Sequence, residues 1–224
     1  LRWIDTLNEV AFLVMDLVRY GFDNHAFRLL NRYLQVTGDY QGVALLRYYL
    51  VYRALVRAKV SLLRLQQGNG DATTQVHDSF TVFIDLAERI VQENKPLLLL
   101  THGFSGSGKS TFANRLAEEF HAIQIRSDME RKRLFGFHAQ DKTGSGIAGG
   151  MYSEWSGFKT YQHLADLAKQ ALEAGYSIII DATFLASWQR EKFRRFADNL
   201  GIPLVILDFQ ASELLQTHFE NRHR

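Results

Sequence analysis

No cysteine occurs among the 224 residues, and only two prolines do. Without thiols there is no disulfide framework, thiol nucleophile or cysteine-ligated metal. That composition fits a reducing compartment and a cytoplasmic location is expected. Long apolar runs are missing as well. The longest, Val10–Met15, falls far short of the roughly 18 residues of a membrane span, so no membrane partner is expected. No charged-then-apolar leader opens the chain, and no signal peptide is expected. A strong charge of either sign is also absent. The formal net charge of +2 makes no general case for a nucleic-acid binder. What is present is apolar: 46% of the residues, enough for a real core. The length suits one or two domains. The chain opens on Leu1 and both ends read as parts of helices, so a piece of a longer protein is expected.

The first third reads as helices. Trp3, Ile4, Leu7, Val10, Ala11, Val14, Leu17 and Val18 recur at three- and four-residue spacing, which places them on one helical face. Phe27, Leu30, Tyr33 and Leu34 mark a second helix closing at Gly38. A third runs from about Gln41 to Leu65, with Leu45, Tyr49, Tyr52, Val56, Val60 and Leu63 on one side. Short connections make these a small antiparallel helical unit. Gln67–Asp71 is a break rich in glycine and small polar residues. A further helix follows from about Thr74 to Glu93. After Pro96 the pattern changes to short apolar runs, Leu97–Leu100, Ala122–Ile125, Ser177–Ile180 and Leu204–Leu207. Helical stretches lie between them near 110–120, 129–135, 155–174 and 186–199. Alternating strand and helix predicts a parallel sheet with helices on its faces.

The strongest motif is Gly103-Phe104-Ser105-Gly106-Ser107-Gly108-Lys109-Ser110, which fits G-x-x-x-x-G-K-[ST]. It follows an apolar strand and opens an amphipathic helix, as the motif requires. Glycines let the backbone fold close around phosphates, and successive N–H groups then face the anion at a helix N-terminus. Gly103–Thr111 is the expected ATP-binding stretch. Lys109 would contact the β- and γ-phosphates, and the Ser110 hydroxyl would ligate Mg²⁺. A second cluster, Gly144-Ser145-Gly146-Ile147-Ala148-Gly149, has the G-x-G-x-x-G spacing but no strand before it. It reads as a surface loop, either substrate-facing or a plain linker.

Three strands end near aspartate: Asp128, Asp181 and Asp208. In an open parallel sheet the ligand lies beyond the carboxyl ends of the strands, so all three stand on the phosphate-loop edge. Asp181, followed by a loop, is favoured for the metal side; Asp208 competes for that role or helps to start a last helix. Asp128 is an N-cap or a general base, with Arg131 holding an anionic group of the substrate.

From Leu97 onward the sequence resembles the small P-loop kinases related to zeta toxins, chloramphenicol phosphotransferase and the polynucleotide 5′-kinases. The matching residues are the loop at 103–110, Ser127-Asp128-x-x-Arg131 and Ile180-Asp181-Ala182-Thr183. That resemblance implies a three-layer α/β P-loop NTPase fold and a base role for Asp128. It also implies an arginine-bearing lid, for which Arg222 is the match, while His218 stands where a further arginine is common. Leu1–Asp5, Ala11–Leu17 and Leu50–Lys59 resemble the C-terminal helices of an aminoglycoside-phosphotransferase-like domain fused ahead of such a kinase. The implied organisation is a helical segment at 1–66, a linker and connecting helix at 67–95, and a P-loop kinase domain at 96–224 cut off in its lid.

The catalytic set expected is therefore Lys109, Asp128 and Arg222, with ATP and Mg²⁺ as cofactors and a hydroxyl-bearing molecule as acceptor. An ATP-binding regulatory module and a nucleic-acid 5′-kinase are the alternatives. GTP specificity has no Asn-Lys-x-Asp motif behind it. Residues 1–66 hold nine Lys/Arg against five Asp/Glu, and Arg53, Arg57 and Arg64 form a row that reads as a solvated face or an anion stripe. The eight histidines show no metal-ligand spacing. Trp3, Trp155 and Trp188 read as core or half-buried. Tyr152, Ser153 and Tyr161 line a substrate pocket or pack a helix.

Overall fold

The computed structural model describes residues 3–67, 73–92, 95–138 and 154–210. Four helices come first: α1 (Thr6–Arg19), α2 (Asp23–Thr37), α3 (Val43–Gln67) and α4 (Thr73–Val91). Strands and helices then alternate as β1 (Leu98–His102), α5 (Lys109–Glu119), β2 (Ile123–Arg126), α6 (Ser127–Leu134), α7 (Glu154–Glu173), β3 (Ile178–Asp181), α8 (Ser187–Leu200) and β4 (Leu204–Asp208). The four strands form one sheet in the order β2-β3-β1-β4, and every pairing is parallel. This is a mixed α/β architecture of the P-loop NTPase type, with helices ahead of it.

The apolar runs explain the layers. Leu98, Leu100, Ile123, Ile125, Ile178 and Ile180 alternate with Leu99 and Ile179 along the strands, and all are buried. The first set joins a core with α7 and the N-terminal helices. The second set packs on Ala113 and Ala117 of α5. A strand buried on both faces is a continuous apolar run rather than an alternating one. The larger core is continuous from Leu7 through Leu46, Leu100 and Leu164 to Ala197.

The first helices show where periodicity misleads. Asp5 caps α1, its Oδ1 accepting from the Leu7 N–H at 2.9 Å. Trp3 and Ile4 therefore precede the helix, and both are exposed rather than on its buried face. On α3 the buried side is Val43, Leu46, Leu50, Ala54 and Ala58. Leu45, Tyr52 and Leu63, expected inside, lie outside. This helix is apolar most of the way round, so its pattern does not single out one face. Trp155 and Trp188 are also exposed. Trp155 carries the Lys159 ammonium 3.8 Å from its ring centre, and Trp188 packs edge-on against Tyr161. Of the arginine row, Arg53 pairs with Glu9 and Arg57 lies over Phe83. Those two charges are engaged with neighbouring helices and form no open stripe.

The N-terminal helices meet the sheet at its edge. One side of β2 pairs with β3; α2 covers the other. Asn31 is buried there. Its Nδ2 donates to the Ala122 carbonyl at 2.9 Å, and its Oδ1 accepts from the Gln124 N–H at 2.7 Å. Tyr40 donates its hydroxyl to the Gln124 carbonyl at 3.1 Å. Gln35 donates to Gln124 Oε1 at 3.0 Å. On the surface, Arg28 grips both carboxylate oxygens of Glu118, at 2.7 and 2.6 Å.

Asn31→Leu keeps the branched shape and removes both hydrogen bonds, leaving a buried carbonyl and N–H without partners. Each orphaned group costs about 1–3 kcal/mol. Urea denaturation should show a loss of at least ~2 kcal/mol; a loss under ~0.5 kcal/mol would mean that α2 does not hold this edge.

Candidate functional site

β1 runs into the loop that α5 closes. The loop takes its shape from glycines in left-handed backbone, with φ of +132° at Gly103 and +85° at Gly108. Gly108 is the N-cap of α5 and has open space around it; its need is conformational. Gly103 is different. Its N–H donates to the Thr183 carbonyl at 3.1 Å, and a Cβ there would overlap the Phe209 carbonyl oxygen. The first glycine of the motif is thus required by packing against the exit of β4.

Lys109 begins α5 and is buried. Its ammonium donates to the Phe104 carbonyl and to Ser107 Oγ, the latter at 3.3 Å. Burial pushes its pKa below the usual lysine range, while the Asp181 carboxylate pulls the other way. Ser110 and Thr111 follow in the first turn, where helix N–H groups lack intrahelical partners and favour an anion.

The sheet's carboxyl edge ends in two cross-strand pairs of opposite charge character. Arg126 stands beside Asp181, and His102 beside Asp208. Asp181 is buried; its Oδ2 lies 3.5 Å from both Arg126 Nε and Gln124 Nε2. Buried Thr101 fixes the turn beyond it, donating to the Ala182 carbonyl at 2.8 Å and accepting from the Ala182 N–H at 3.1 Å. Asp208 is exposed, with Oδ1 2.7 Å from His102 Nδ1. That bond, followed by one from Gln210, holds the Asp208 carboxyl below its usual pKa.

These elements enclose a cleft of about 360 Å³. The loop and α5 line it with Ser105, Gly106 and Gly108–Thr111, the end of β2 with Arg126, Ser127 and Asp128, and the end of β3 with Asp181, Ala182 and Thr183. Lys109, Ser110, Asp128 and Asp181 are thus brought together. Asp208 is not among the lining residues, nor is Arg131 one turn along α6. Asp128 sits in the first turn of α6 rather than at its N-cap. Its exposed carboxylate pairs with Lys132 at 2.9 Å. Tyr161 is buried, and its hydroxyl oxygen accepts from the Phe184 N–H at 3.3 Å. Arg222, His218, Tyr152, Ser153 and the 144–149 glycine cluster lie outside the described residues.

One lining residue, Arg126, lies outside every motif read from the sequence. The signal for Arg126 is a basic residue closing an apolar strand just ahead of Ser127-Asp128. The donor set suits a magnesium–nucleotide complex: a hydroxyl, a buried carboxylate, a lysine and loop backbone converge on one space. Among the described residues no helix is long and apolar enough to cross a membrane.

The AAA domain family profile matches residues 98–221. Uncharacterized proteins from Mycobacterium tuberculosis and Mycobacterium bovis are 33% identical over 205 residues, 92% of this chain. The chain spans 40% of the length of these relatives. A crystal structure from Chloroflexus aurantiacus, described as a candidate kinase, is similar at 20% identity with a TM-score of 0.47, covering 59% of this chain and 69% of that one.

The desolvated Lys109 yields a prediction about pH. A lysine whose folded pKa is depressed destabilises the fold wherever it stays charged, and the penalty fades as pH rises through that folded pKa. Lys109→Met should therefore raise the denaturation midpoint of the nucleotide-free protein at neutral pH, and the gap should narrow towards about pH 10. A lower midpoint at neutral pH would contradict this.

Proposed function

Because the chain belongs to the AAA domain family, we propose that its loop binds ATP with Mg²⁺ and that the chain transfers the γ-phosphoryl group to a hydroxyl of an acceptor molecule. One observation supports this above others: a single cleft holds the phosphate loop, a buried carboxylate and an exposed one. Phosphoryl transfer needs those three parts and little else.

Gly103–Thr111 cradles the phosphates through backbone N–H groups, and Lys109 swings from its loop contacts to the phosphate oxygens. Ser110 and Asp181 would hold the metal. When bound, the magnesium nucleotide supplies the phosphoryl group and neutralises its charge. Asp128 takes the proton of the acceptor hydroxyl as the acceptor oxygen forms its bond to phosphorus and the bond to the ADP oxygen breaks. Arg131 is assigned to an anionic group of the substrate and Arg222 to a lid arginine. Catalysis by such a site is positioning and electrostatics.

The organisation that goes with this reading is a helical segment at 1–66 like the C-terminal helices of an aminoglycoside-phosphotransferase-like domain, a joint at 67–95 and a P-loop kinase part at 96–224. A second reading, an ATP-binding regulatory module, draws on the buried contacts between α2 and β2, which tie the helices to the strand that leads into the cleft.

The experiment is a radiolabelled phosphate-transfer screen over hydroxyl compounds, run with nucleotide-binding measurements. Lys109→Ala should abolish transfer. Asp128→Ala should keep ATP binding and lose about 10²–10⁴-fold in turnover. Wild-type transfer by Asp128→Ala would sink the base assignment. ATP turnover that no acceptor alters would favour the regulatory reading.

A further inference from the structure

A second cleft, of about 320 Å³, lies between α2, α5 and β2. Arg28, Arg32 and Gln35 of α2 line it, with Asn114 of α5 and Gln124 and Arg126 of β2. Its character is that of a donor-rich anion site. Glu118 is the one acidic residue in the lining, and Arg28 already grips it at both oxygens. Arg32 and Arg126 remain, the latter ion-paired with Asp181. Arg32 is exposed and makes no ion pair among the described residues. Arg126 has a buried Nε with no hydrogen-bond partner, the Asp181 oxygen being 3.5 Å away. The rest of the Arg126 side chain is partly exposed, and a planar carboxylate or a phosphate is the group that a guanidinium takes.

The position of this cleft matters as much as its charge. Arg126 lines both clefts. Helix α5 gives Ser110 and Thr111 to the first and Asn114 to the second, about one helical turn or ~5 Å further on. A small molecule can therefore lie across Arg126 with one end in each. Two of the second cleft's donors, Arg32 and Gln35, come from the N-terminal helices.

We propose that the second cleft holds a phosphate or carboxylate group of the acceptor, bound by Arg32 and Arg126 with Asn114 as a neutral donor. This rests on the phosphoryl-transfer reading given above. It makes α2 part of the substrate site and narrows the acceptor to anionic hydroxyl compounds small enough to span the two clefts.

The test uses the full chain saturated with ADP and Mg²⁺, so that the phosphate loop is filled. Inorganic phosphate and citrate are titrated by calorimetry as the phosphate and carboxylate probes. One of them should bind saturably. Arg32→Glu and Asn114→Ala, both surface changes, should each weaken it, the charge reversal at least tenfold. If neither anion binds, or Arg32→Glu binds as tightly as the wild type, the cleft is not an anion site. Transfer kinetics separate the two ideas. A chain that transfers phosphate to anionic acceptors with a KM that Arg32→Glu leaves unchanged overturns the cleft and keeps the kinase reading. A chain that binds phosphate at Arg32 but phosphorylates nothing overturns the acceptor role together with that reading.

Discussion

The closure of the β2 edge is the contact on which the site depends. A strand at the rim of a sheet exposes a row of unpaired N–H and carbonyl groups. Here a single side-chain amide, that of Asn31, answers one of each, with Tyr40 and Gln35 beside it. The strand so held is only four residues long, yet Arg126, Ser127 and Asp128 follow one another at its end. Any shift in β2 would carry all three relative to the loop.

From that edge inward the polar groups are linked in series. Gln35 holds Gln124, Gln124 reaches Asp181, and Asp181 faces Arg126 and acts on Lys109 through space. A buried network of this kind is stabilising only when every member is satisfied. The two unsettled members are Lys109, whose charge is desolvated, and Arg126, whose Nε lacks an acceptor. Both line the phosphate-loop cleft. The strain thus sits where an anion would relieve it, the usual exchange of stability for binding.

What could be read from the sequence follows from what periodicity encodes. The four strands are present where apolar runs predicted them, but all four extend one or two residues further, to His102, Arg126, Asp181 and Asp208. Polar residues at strand ends look like loop until their cross-strand partners are known. The phosphate loop was legible because its chemistry is local. The α2–β2 contacts were not. Asn31, Gln35 and Gln124 are polar side chains, and a partner 84 to 93 residues away makes them core. Arg126 has a weak local signal at the strand end, and its pairing comes from Asp181 on the neighbouring strand.

The crowding at Gly103 has a mechanical side. With the Phe209 carbonyl where a Cβ would reach and its N–H tied to Thr183, the loop has little room at its root. The chain leaving β4, the turn after β3 and the phosphate loop thus meet at one glycine. A push on Phe209 would be felt as a tilt of the loop before any bond in the cleft had changed.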